Sequence, residues 1–252
     1  MDPDTLKNYR PVANVPYVSK LIEKTVKDQI DDFLSENDLY CKFQSAYRKN
    51  FSTETALIRV HNDIMVSLDV KRDVILILLD FSAAFETIDH RILLHRLETR
   101  FGFAGEVIQW FSSYLANRKQ YVSVASNDSS VTTPICGVPQ GTTLGPILFI
   151  LYTSPLEEIL TKHGLNPMFF SDDTQLYITC EHYDDIKTNV ELCIDEIKLW
   201  VTENLLVMND SKTEVIHFRS KFKNNERLES IRVGDAFVEA VPSVRNLGVC
   251  LP

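Results

Sequence analysis

The chain has 252 residues, 44% hydrophobic and 24% charged, enough apolar material for a substantial core in one large domain or two small ones. Its net charge of −9 argues against indiscriminate nucleic-acid binding, which draws on a Lys/Arg excess. Five scattered cysteines without a C-x-x-C spacing speak against a zinc knuckle or a disulfide framework and suit a reducing compartment, cytoplasm or nucleus.

The N-terminal stretch "MDPDTLKNYRP" lacks the apolar core of a signal peptide. Next, "VSKLIEKTVKDQIDDFLSEN" spaces Leu21, Val26, Ile30, Phe33 and Leu34 as the inner face of a helix. A second helix is expected from an N-cap at Ser52 or Thr53, with Leu57, Val60, Ile64 and Leu68 inside. The period then changes. "DVILILLDF" (73–81) is a near-continuous apolar run, the mark of a strand buried on both faces, with Asp80 at its end.

Two helices follow around "RILLHRLETRF" and "AGEVIQWFSSYLANR". "QYVSVASNDSSVTTPICGVPQG" reads as a hairpin with a polar turn at 126–130. A buried helix is expected after Pro146. The most apolar stretch, "LGPILFILYTSPLEEIL", is interrupted by Pro146 and Pro155 and is too short to span a bilayer. "NPMFFSDDTQLYI" predicts strand, tight turn, strand. A long amphipathic helix covers roughly 183–204, "TEVIHF" is a strand, and "IRVGDAFVEAV" a hairpin turning at Gly234-Asp235. Short strands mixed with helices, without strict βαβ alternation, predict an α+β fold with an antiparallel sheet.

Three Asp-Asp pairs occur. Asp31-Asp32 lies on an amphipathic helix and reads as a solvated face. Asp184-Asp185 stands where a helix begins, where acids favour the macrodipole. Asp172-Asp173 differs, because it falls at a hairpin tip between apolar strands. Asp is common in turns, which is the plain explanation. The chemical explanation brings in Asp80. Three carboxylates at one sheet edge repel one another unless a cation neutralises them. Hard oxygen ligands with room for water and phosphate describe Mg²⁺. Two such ions about 4 Å apart form a clamp for phosphoryl transfer.

Several blocks now resemble a known family. "LLDFSAAFETIDH" (78–90), "GVPQGTTLGPILFILYTSPL" (137–156), "FFSDDTQLY" (169–177) and "NDSKTEVIHF" are similar to the reverse transcriptases of non-LTR (LINE-type) retrotransposons. "NYRPVANVPYVSKLIEK", "FQSAYRKNFSTETAL" and "VRNLGVCL" extend the likeness, in the family's order, over nearly the whole chain.

The resemblance implies a right-hand polymerase fold: fingers over 1–72, then a palm over 73–252 with a central antiparallel sheet and a finger-like hairpin near 119–136. On that resemblance the chain is expected to end at a block like the primer grip, with the thumb absent and no endonuclease domain in front. The implied activity is RNA-directed DNA polymerisation with two Mg²⁺ ions, Mn²⁺ being an alternative. The implied partners are an RNA template, a DNA primer and dNTPs; no membrane is expected, and no protein partner is indicated. Asp80 and Asp172 would be the principal metal ligands, with Asp173 completing the cluster. Lys212 matches the lysine that protonates departing pyrophosphate. Phe85 matches the aromatic that excludes a ribose 2′-hydroxyl, and Gln140, beside Gly141, the glutamine next to the nascent base pair. Arg10, Lys20, Arg48 and Lys49 are candidates for phosphate contacts.

Three positions depart from the family's usual residues: Phe170 for tyrosine, Ser171 for alanine and Glu86 for aspartate. None removes a metal ligand. The alternative functional reading is a catalytically inactive, truncated retroelement fragment or scaffold, which the acidic balance favours. An RNA-directed RNA polymerase would share the palm chemistry, and Phe85 argues against it.

Overall fold

A computed structural model describes residues 12–82, 84–124, 127–220 and 227–251. In chain order its elements begin with α1 (Tyr17–Glu36), α2 (Thr53–Asp69) and β1 (Asp73–Ser82). Helices α3 (His90–Thr99) and α4 (Glu106–Leu115) precede the short strands β2 (Ser123–Val124) and β3 (Asn127–Asp128). Then come α5 (Gly145–Thr153), α6 (Leu156–Lys162), β4 (Asn166–Phe170), β5 (Asp173–Cys180) and α7 (Tyr183–Glu203). The remaining strands are β6 (Val207–Met208), β7 (Glu214–Phe218), β8 (Ser230–Val233), β9 (Ala236–Glu239), β10 (Val244–Asn246) and β11 (Val249–Leu251). No helix among the described residues is long and apolar enough to cross a membrane.

Internal contacts group the chain into two units. Of the described residues, those up to 39 go with those of 85–152, and those of 40–84 go with those from 153 onward. Residues 40–72, read from sequence with the fingers, therefore group with the sheet.

The second unit is built on β1. It pairs antiparallel with β5 on one side and β7 on the other; β6 meets its end and β4 lies outside β5. Val74 and Leu76 face the buried stripe of α2, formed by Ala56, Val60 and Ile64. Ile75, Ile77 and Leu79 project to the other face and are buried as well. On that side α7 runs along β5 with Val190, Ile194, Ile197 and Val201 buried. Burial on both faces explains the unbroken apolar run of β1. Helix α2 starts at the expected residue: the Ser52 hydroxyl accepts the Thr55 N–H at 3.2 Å, and the Thr55 hydroxyl accepts the Ser52 N–H at 2.9 Å.

The first unit holds α1, α3, α4 and α5. Phe103 stands between Phe33 and Phe111, with ring centroids 5.1 and 5.9 Å away. Helix α5 is buried almost all round, as its composition requires.

Two expectations are corrected. Leu21, expected inside, is about half exposed, and the buried stripe of α1 is instead formed by Glu23, Ile30 and Leu34. Asn127 and Asp128, expected in a turn, pair with Val124 and Ser123.

Candidate active site

Asp80 and Asp173 are direct cross-strand partners, closing the register of eight pairs that begins at Asp73 and Cys180. Opposite residues of an antiparallel pair share a face, with Cβ atoms roughly 4.5–5.5 Å apart. The register therefore sets two carboxylates side by side. Like charges so placed are unfavourable, and a cation relieves them. Lys212 supplies one, its Nζ 3.1 Å from Asp80 Oδ2. Lys212 ends a single 3-10 turn, Asp210–Lys212, and its N–H donates to the Asn209 carbonyl at 3.0 Å. The Asn209 N–H in turn donates to the Asp80 carbonyl at 2.9 Å, so this turn is tied to the strand that carries the acid.

Asp172 occupies the connection between β4 and β5. Phe170 and Asp173 form the closing pair, leaving Ser171 and Asp172 as a two-residue turn. Ser171 has φ +62°, the left-handed conformation that a tight hairpin turn demands. Its hydroxyl is buried and hydrogen-bonded to that of Tyr47 at 3.2 Å. The "FQSAYRKN" segment thus reaches the acidic turn. It also covers the edge of β4, where the Phe169 N–H donates to the Phe43 carbonyl and the Ser45 N–H to the Phe169 carbonyl.

A cavity of about 430 Å³ opens beside the acids. Asp80, Asp173, Glu214, Lys212 and Arg245 give it both signs of charge, and the buried Gln175 accepts a 2.8 Å hydrogen bond there from Asn246. Among the described residues no group of three or more His, Cys, Asp or Glu is arranged to hold a metal ion. What the structure draws together is the pair Asp80 and Asp173, with Asp172 adjoining in the turn. That donor set fits a hard cation of the Mg²⁺ kind, which takes one or two carboxylates and completes its shell with water and phosphate. It is not a ready-made all-protein cage.

Four of the candidates lie in the first unit. Phe85 is half-buried, its ring 5.0 Å from that of Phe149 on α5. Its carbonyl accepts the Val138 N–H at 2.7 Å, and the Ile88 carbonyl accepts the Gly137 N–H at 2.7 Å. The "FETIDH" and "GVPQG" segments are thereby joined backbone to backbone. Gly137 is obligatory at this junction: its φ is +85°, and a Cβ would lie 2.6 Å from the Glu86 carbonyl oxygen. The Gln140 carbonyl accepts the Ala13 N–H at 2.8 Å. Gly141 has φ +86° and is closely approached by Val12. Lys20 is exposed on α1.

The basic candidates of the N-terminal third fare differently. Arg48 is spent on its own loop: its guanidinium donates to the Cys41 and Gln44 carbonyls at 3.0 and 3.2 Å and stacks on Tyr40 and Phe51. Lys49 is exposed. Arg10 lies outside the described residues.

Sequence reading missed Glu23. It is 2% exposed and accepts hydrogen bonds from the Thr143 and Leu144 N–H groups and the Tyr114 hydroxyl. An acid between Ile22 and Lys24 looks like a solvated helix face, and only its phase with Ile30 and Leu34 hinted otherwise.

Residues 2–251 match the family model for reverse transcriptase (RNA-dependent DNA polymerase). The chain belongs to the reverse transcriptase family. Relatives of the chain include the probable RNA-directed DNA polymerase from transposon BS of Drosophila melanogaster, 24% identical over 212 residues. The RNA-directed DNA polymerase from mobile element jockey of Drosophila funebris is 29% identical over 254 residues. These matches take in 82% and 99% of the chain but 23% and 27% of the relatives, so it spans about a quarter of their length. The resemblance to the enzymes of non-LTR retrotransposons stands on these relatives.

Solved structures agree on the right-hand polymerase fold. Apo telomerase from Candida tropicalis, truncated from its C-terminal domain, superposes with a TM-score of 0.59 at 14% identity, covering 92% of this chain and 45% of the telomerase chain. The RNA-dependent RNA polymerase of a human picorbirnavirus gives 0.52 at 16% identity, covering 85% and 41%.

Proposed function

We propose that this chain is the polymerising portion of an RNA-directed DNA polymerase, adding dNTPs to a DNA primer on an RNA template. The observation that carries the reading is the register opposition of Asp80 and Asp173, with Asp172 in the adjoining turn, in a chain of the reverse transcriptase family. In the reaction the primer 3′-oxygen forms a bond to the α-phosphorus of the nucleotide as the bond to pyrophosphate breaks. Asp80, Asp172 and Asp173 would hold two Mg²⁺ ions, or Mn²⁺ in their place, which when bound acidify the primer 3′-hydroxyl and neutralise the triphosphate.

The chain's own residues take the remaining roles. The Lys212 ammonium, paired with Asp80, donates a proton toward the departing pyrophosphate. The Phe85 ring, braced by Phe149, excludes a 2′-hydroxyl and so favours deoxynucleotides. Gln140, on a turn fixed through its carbonyl by Ala13, lies against the nascent base pair. Lys20, Lys49 and Arg10 remain candidates for phosphate contacts, and Arg48 serves by ordering the loop behind the acidic turn. In this reading 73–252 supplies the palm and 1–72 the fingers, with residues 40–72 bound into the sheet's unit.

The test is extension of an oligo(dT) primer on poly(rA) by the purified chain, with and without Mg²⁺. Mg²⁺-dependent incorporation of dTTP supports the proposal. Absence of any incorporation, with the chain folded and the primer–template bound, would favour the inactive scaffold.

A further inference from the structure

Glu23 presents a physical problem. It is almost fully buried on α1, whose neighbouring Leu21 and Ile22 are about half exposed. Burying a carboxylate costs several kcal/mol unless hydrogen bonds replace its water. Glu23 is well supplied. Its Oε2 accepts the Thr143 N–H at 2.7 Å and the Leu144 N–H at 3.4 Å, and its Oε1 accepts the Tyr114 hydroxyl at 3.2 Å. Burial and the nearby Glu23 push the Tyr114 phenol up to about 12, so it remains a donor.

Capping α5 is the plain explanation, but α5 has a local cap already. The Thr142 hydroxyl accepts the Gly145 N–H at 3.1 Å and donates to the Pro139 carbonyl at 2.8 Å. Residues 139–145 are thereby closed into one tight unit with Gln140 and Gly141 inside it. Two strings attach that unit to the N-terminal segment. The Ala13 N–H holds the Gln140 carbonyl, and Glu23 holds the two N–H groups just beyond Thr142. Gly141, with Val12 only 3.1 Å from where a Cβ would stand, leaves little room for the turn to shift between them.

We propose that Glu23 is a positioning residue for the nucleotide site, fixing through Thr143 and Leu144 the turn that presents Gln140. The inference rests on the polymerase reading for what Gln140 touches, and on hydrogen bonds within one unit for how it is held. Glu23→Gln is the informative change. It keeps size and one acceptor oxygen for the two N–H groups, and removes the charge that strengthens their hydrogen bonds. Tyr114→Phe removes a single donor and tests the same contact more gently.

Two measurements decide it together: amide hydrogen exchange at Thr143 and Leu144, and dTTP titration of primer extension. The expected result for Glu23→Gln is lost protection at both amides and a KM for dTTP raised about three- to tenfold with kcat within about twofold. Tyr114→Phe should move both readouts the same way by less, and it carries the test if Glu23→Gln does not fold. Lost protection with an unchanged KM would reduce Glu23 to a fold element and overturn the proposal. Retained protection would overturn it too. An inactive wild type would count instead against the polymerase reading. Exchange would then still decide whether Glu23 holds the turn, lost protection upholding that contact and retained protection refuting it.

Discussion

Asp80 and Asp173 stand opposite each other at the end of the β1–β5 register, and Lys212 pairs with the first of them. Lys212 offsets part of the like-charge repulsion that this arrangement sets where the proposed chemistry needs negative oxygens. Function and stability should therefore pull in opposite directions here.

Asp173→Asn is the direct check on that opposition. Removing one of two facing charges should stabilise the fold by about 0.5 kcal/mol. Urea denaturation at neutral pH and low salt would show the midpoint rising, and the gain should shrink as salt screens the pair. A midpoint that falls would mean the two acids do not strain each other.

Phe85→Ala separates the selectivity role from packing. Loss of the ring contact with Phe149 should cost about 1 kcal/mol beyond the area lost. The specific expectation is that rTTP incorporation rises relative to dTTP by roughly tenfold or more. An unchanged ratio at reduced stability would leave Phe85 a packing residue.

Gly137→Ala tests the junction between the "FETIDH" and "GVPQG" segments. A methyl group would meet the Glu86 carbonyl oxygen at 2.6 Å, on a backbone whose φ of +85° side chains avoid. Destabilisation of about 2 kcal/mol or more is expected from thermal or denaturant unfolding. A neutral substitution would show that the two segments separate easily.

His217 governs an acid limb of stability. Burial lowers its pKa, with Arg219 and Arg227 adding to the effect and Asp73 opposing it. Its Nδ1 accepts the Leu228 N–H at 3.1 Å, which fits a neutral ring. A group whose folded pKa is depressed binds its proton more readily when unfolded. Stability should therefore be complete above the ordinary value of about 6.5 and fall as pH drops below it toward the folded pKa. His217→Asn keeps an acceptor and removes the titration. Urea unfolding between about pH 5 and 8 should show a flatter acid slope in the variant.

Much of this was legible in the sequence, for reasons particular to each segment. The strand β1 announced itself because burial on both faces leaves only apolar residues from Val74 to Leu79. The hairpin at 166–180 was legible because two apolar runs flank residues that turn readily. Register was not legible: nothing in the composition of 173–180 says which residue faces Asp80. Strands β6, β10 and β11, of two or three residues, are too short for periodicity to register. Leu21 misled because, nine residues before Ile30, it stands half a turn out of phase with the buried stripe of α1. Glu23 and Arg48 hid for the same reason as each other. Their roles depend on carbonyls, N–H groups and rings brought in by other segments, and a charged side chain in a sequence carries no sign of such partners.

The central claim is that the Asp80 end of β1 is where nucleotides are joined. Single-nucleotide incorporation on an RNA template, comparing the wild-type chain with Asp80→Asn in Mg²⁺, tests it most directly, with Asp172→Asn as the companion. Both variants should fold and bind primer–template yet lose incorporation by about a thousandfold or more. Incorporation by Asp80→Asn within tenfold of the wild-type rate would contradict the account.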